Sequence, residues 1–80
     1  MHEFHLANQI VKTIREHIQK NNFSQITKII IGLGRIIERG EEINFENLKY
    51  NIKLFLPKTK IEIKKIPGNK WKLVSMEGEK

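Results

Sequence analysis

The stretch Ile43–Pro57, INFENLKYNIKLFLP, decides the fold, because it carries two periods at once. Phe45, Leu48, Ile52 and Phe55 recur at helical spacing, with Asn44 placed as a cap. Leu48, Tyr50, Ile52, Leu54 and Leu56 also alternate as a strand would. Pro57 ends the element in either case, since the residue before a proline is pushed out of the helical region. Periodicity alone leaves both readings open.

The flanking segments are plainer. Upstream, Leu6, Ala7, Ile10, Val11, Ile14 and Ile18 form one apolar stripe, which predicts an amphipathic helix from about Glu3 to Asn21. Glu3 in its first turn and Lys20 in its last suit the helix dipole. Gln25–Leu33 reads as a strand, because Ile29-Ile30-Ile31 is β-branched on both faces. Gly32 and Gly34 punctuate its end, and the charged stretch Arg35–Glu42 reads as a loop. Downstream, Lys60–Ile66 alternates apolar and charged residues as a half-buried strand. Pro67-Gly68-Asn69 supplies turn chemistry, and a further strand from Trp71 to about Met76 makes the pair a hairpin. The tail Glu77–Lys80 is expected to fray. The predicted core comprises Leu6, Ile10, Ile14, Ile18, Ile29, Ile31, Leu48, Ile52, Ile61, Ile63, Trp71 and Leu73.

Eighty residues suffice for one small domain. With no cysteine, the chain has no disulfide, no thiolate zinc or iron–sulfur site and no cysteine nucleophile. Aspartate is absent and the only serines are Ser24 and Ser75, a poor inventory for a catalytic triad. The chain reads as a non-enzyme. No apolar run is long enough to span a membrane, and Met1-His2-Glu3 is acidic where a secretory leader is basic, so the expected location is the cytoplasm. The net charge of +6 is concentrated in residues 49–72, with eight lysines against the single acid Glu62. Nucleic-acid binding through these lysines, with Trp71 or Tyr50 stacking, is the least favoured reading. The patch lacks arginine and no nucleic-acid motif is present. Alternating lysines more often make a solvated sheet face.

The most specific chemistry sits at the amino terminus. The α-amine of Met1, the amide and imidazole nitrogens of His2 and the amide of Glu3 can close fused rings around one divalent ion. A planar set of four nitrogens suits Ni(II) or Cu(II). His5, one helical turn from His2, is an accessory candidate, whereas His17 faces away from the stripe and reads as solvated.

Met1-His2-Glu3, Leu6-Ala7, Ile10-Val11, a strand ending Ile31-Gly32-Leu33-Gly34, Ile61-Glu62-Ile63 and Gly68–Glu77 together resemble the HypA/HybF family of nickel metallochaperones. The resemblance spans residues 1–80 as a single HypA-like nickel-binding domain. The family's zinc subdomain with its two CxxC pairs is missing, and Ile66-Pro67-Gly68-Asn69 closes the gap. The likeness implies Ni(II) held by Met1, His2 and Glu3, with no zinc. It further implies delivery to [NiFe] hydrogenase maturation, with a HypB-like GTPase and the hydrogenase large subunit's machinery as partners. A homodimer is left open. It also resolves Ile43–Pro57, implying a second helix over about Glu42–Lys53. The expected architecture is therefore α+β: two helices on one face of a three-stranded mixed sheet, in the order α-β-α-β-β. Departures include Gly34-Arg35 where the family has Gly-Glu, Leu56-Pro57-Lys58-Thr59 where a Gly-Thr turn is common, and His5 at a small or apolar position. Loss of the zinc module makes a protein-interaction domain without metal delivery the alternative.

Overall fold

The computed structural model describes residues 2–38 and 40–80; the side chains of His2, Glu3 and Glu38 lie outside that description. The elements run α1 (His2–Asn21), β1 (Gln25–Leu33), β2 (Ile37–Glu38), β3 (Glu41–Glu42), α2 (Phe45–Phe55), β4 (Lys60–Lys65) and β5 (Trp71–Glu79). The fold is α+β, with two helices and a three-stranded mixed sheet ordered β4-β1-β5. β1 is parallel to β4 and antiparallel to β5.

The expected arrangement α-β-α-β-β with a terminal hairpin is overturned at two points. Residues 37–42, read as loop, carry the separate two-stranded ribbon β2–β3, which pairs Ile37 with Glu42 and Glu38 with Glu41. Gly40, at φ 81, supplies the left-handed backbone its turn requires. Secondly, β4 and β5 are not paired with each other, because β1 lies between them. The connection is pinned over the end of β1 by three backbone hydrogen bonds. Ile66 N–H donates to the Leu33 carbonyl, Gly34 N–H to Lys70 and Arg35 N–H to Gly68, at 3.1, 2.8 and 2.9 Å. The turn residues are those of a hairpin, but the chain uses them to step across a strand.

The segment Ile43–Pro57 is helical from Phe45, three residues later than the expected start at Glu42, and it runs two residues past Lys53. The Asn44 side chain accepts from Asn47 N–H at 3.0 Å, and this cap fixes the boundary. Ile43 stays outside the helix, buried, with its N–H on the Ile36 carbonyl. Asn44→Ala is expected to lower stability by about 1 kcal/mol in a thermal melt, with Asn44→Asp retaining most of it.

One core cluster joins the α1 stripe, the α2 residues Leu48 and Ile52, and the row Ile29–Ile31–Leu33 of β1. In register with that row stand Ile61 and Ile63 of β4, and Met76, Leu73 and Trp71 of β5. Ile18, Ile63, Trp71 and Leu73 are only partly buried, while Ala7, Val11, Ile26, Leu33 and Ile43 complete the core. Buried Thr59 donates its hydroxyl to the Ile26 carbonyl at 3.0 Å, so its polar atom is satisfied. The tail expected to fray is strand as far as Glu79, whose carbonyl accepts from both Ser24 N–H and Ser24 Oγ.

Candidate metal centre

Of the candidate donors, the structure places the backbone amides of His2 and Glu3, at the head of α1. Met1 falls outside the described residues, as do the side chains of His2 and Glu3, while the backbone of His2 and Glu3 opens the helix. Amides of a helix's first turn have no carbonyl one turn upstream to donate to. The amide nitrogens of His2 and Glu3, the expected donors, therefore carry no intrahelical hydrogen bond that deprotonation would have to break.

The next turn is anchored by aromatic contacts. The Phe4 ring meets that of Phe55 at 6.0 Å between centroids, holding the start of α1 against the end of α2. His5 is exposed and stands edge-on to Phe4 at 6.4 Å, one turn along from His2. His17 is exposed, with Nδ1 3.0 Å from the Thr13 carbonyl. Its twelve-residue separation from His5 corresponds to ~18 Å along the axis, so it takes no part in the same centre. No three His, Cys, Asp or Glu side chains form a metal-holding group among the described residues.

The eight lysines of residues 49–72 do not form one surface. Lys49 and Lys53 belong to α2, Lys58 to the following turn, Lys60, Lys64 and Lys65 to β4, Lys70 to the connection between β4 and β5, and Lys72 to β5. Trp71 is half-buried on the core side of the sheet, in register with Leu33. Lys60, Lys64 and Lys72 are in register with Lys28 or Gly32, on the opposite side. Trp71 also lines an open cleft with Ile66, Lys70 and Lys72, but this single ring, packed against the core, does not make the interleaved groove that base stacking requires.

Sequence reasoning missed the corner beside the ribbon. There Arg35 Nε donates to Glu42 Oε1 at 2.9 Å, and Phe45, Lys65 and Pro67 complete an open cleft. The available signal was Gly40 between the short runs Ile36-Ile37-Glu38 and Glu41-Glu42-Ile43.

No family model matches the chain, and no curated protein matches it by sequence. Among solved structures it is similar to the solution structure of the Ni metallochaperone HypA from Helicobacter pylori, with a TM-score of 0.72 and 13% identity. The alignment covers 96% of this chain and 97% of that one. At that identity the likeness is one of fold: this chain has a HypA-like fold.

Proposed function

We propose that this chain is a nickel-binding accessory protein that takes Ni(II) as cargo at its amino terminus and passes it on by ligand exchange. The observation that carries the reading is the fold likeness to a Ni metallochaperone over 96% of the chain. The Met1-His2-Glu3 start at the head of α1 supports it. The α-amine of Met1, the amide and imidazole nitrogens of His2 and the amide of Glu3 make up the donor set, with His5 as an accessory. Four nitrogens in a plane suit Ni(II), and the open faces above and below admit an incoming ligand. Intrinsic affinity favours Cu(II), so nickel selectivity rests on supply or on the acceptor. By the family resemblance, the acceptor is a HypB-like GTPase serving [NiFe] hydrogenase maturation. No bond-making catalysis belongs to this role.

Amine and amide nitrogens bind only after losing protons, and the unperturbed α-amine has a pKa of about 8. Protons compete with the metal, so affinity is expected to rise steeply with pH through neutrality. A nickel titration of the chain with a free Met1 amine tests the reading. One equivalent should bind with the d–d absorption of a square-planar ion. His2→Ala, or acetylation of the Met1 amine, should abolish that band without moving the melting temperature. Undiminished nickel binding in both altered forms would refute the terminal chelate. No binding by the unaltered chain would leave the interaction-domain reading in its place.

A further inference from the structure

The sheet has two unlike faces. Parallel pairing in α/β proteins goes with cover on both sides, and β1 carries β-branched residues on both sides. Here the helices share a core cluster with the Ile29–Ile31–Leu33 side alone. On the other side, Ile30 lies between Glu62 and Ser75, and Gly32 between Lys64 and Lys72. A methyl group on Gly32 would stand 2.9 Å from Ile66 Cγ2 and 3.2 Å from Val74 Cγ2. Those two side chains therefore lie over it on the helix-free face. The register shift between Ile30 and Ile31 leaves Val74 as the extra residue of a bulge, 44% exposed.

The rim of this apolar strip is basic. Lys28 and Lys60 stand together at one end, Lys64 and Lys72 flank the other. Two acids share the face, Glu62 beside Ile30 and Glu77 beside Lys28. Neither pairs with a lysine, since the ion pair among the described residues is Arg35–Glu42 in the ribbon corner. Four cations, none held in an ion pair and outnumbering the two acids of the face, thus frame three aliphatic side chains.

We propose that this helix-free face, with Ile30, Val74 and Ile66 at its centre and Lys28, Lys60, Lys64 and Lys72 around it, docks an acidic amphipathic segment of a partner protein. Aliphatic side chains at the centre give apolar residues of the partner a place to be buried, and the lysines select acidic flanks. A nucleic acid would use the lysines but gain nothing from the aliphatic strip, and Trp71, the ring that lines a cleft beside Ile66 and Lys72, is packed against the core. The inference is independent of the nickel reading, because no residue of the face belongs to the terminal chelate.

Fluorescence anisotropy with a labelled helical peptide of alternating glutamate and leucine turns tests it, alongside a labelled single-stranded oligonucleotide of equal charge. The peptide should bind, and the double variant Lys64→Glu/Lys72→Glu should weaken it by about tenfold or more. Val74→Ser should weaken it by about threefold or more, an effect that persists at about 1 M salt, where charges are screened beyond ~3 Å. Circular dichroism should show all variants folded; both lysines are exposed, so the double variant keeps the test valid if Val74→Ser unfolds. Equal or tighter binding of the oligonucleotide, indifference to the charge reversal, or no peptide binding at low salt would each overturn the proposal.

Discussion

Gly34→Ala is expected to destabilise the fold by about 3 kcal/mol, at the upper end of the range for forcing atoms into a filled space. For a domain of this size that lowers the melting temperature by on the order of 10 °C or more. The added Cβ would lie 2.6 Å from the Gly68 carbonyl oxygen, 2.8 Å from that of Lys70 and 2.9 Å from the Gly68 carbonyl carbon. All three are backbone atoms, so no side chain can swing aside. Nor can the turn retreat cheaply, because Gly34 N–H and Arg35 N–H donate to the same two carbonyls. Thermal unfolding followed by circular dichroism measures the loss. A melting temperature within a degree or two of the parent would show that the 66–70 turn is not seated on the end of β1.

Ile31→Ala is expected to cost about 3–4 kcal/mol, and Ile30→Ala no more than about 1–2, although the two residues are neighbours of one type. Ile31 has no exposed surface and stands between Ile63 and Leu73 in the central strand, beneath the helices. Its truncation leaves a cavity that main-chain hydrogen bonds on both sides prevent from closing. Ile30 points the other way and is only partly buried, so part of the space it leaves is already open to water. Eighty residues give a total stability of roughly 4–12 kcal/mol, of which the Ile31 loss is a large share. Urea titration of the two variants should separate them clearly. Equal losses would mean that the helix-free face is as closely packed as the core.

Local signals in the sequence placed α1 and β1, because each has a strong period; α2 carried two periods at once, and only the resemblance to the HypA/HybF family implied a helix there, with a start three residues too early. Local signals failed where pairing is set at a distance. Pro67-Gly68-Asn69 reads as a hairpin turn because turn chemistry is local. Which strand sits beside β5 depends instead on β1, whose apolar row takes neighbours on both edges. The ribbon escaped notice because two strands of two residues each have no measurable period. The end of β5 was lost to its polar composition, although Ser24 and Thr27 hold it through the carbonyls of Glu79 and Glu77. Of the candidate site, residue types and spacing were legible at Met1-His2-Glu3, and the exposure of His17 agrees with its reading as solvated. The basic helix-free face could not be read in advance. Its lysines come from β1, β4 and β5, and only the register brings them together.

The central position of β1 also bears on how the molecule is made. Both neighbours of β1 lie beyond α2 and emerge after it, and Gln25 finds its partner only in Glu79. Helix pairing can begin as soon as α2 has emerged, whereas the sheet must wait for β4 and β5. Throughout that interval a strand rich in isoleucine has both edges open, the kind of unpaired edge through which chains associate wrongly.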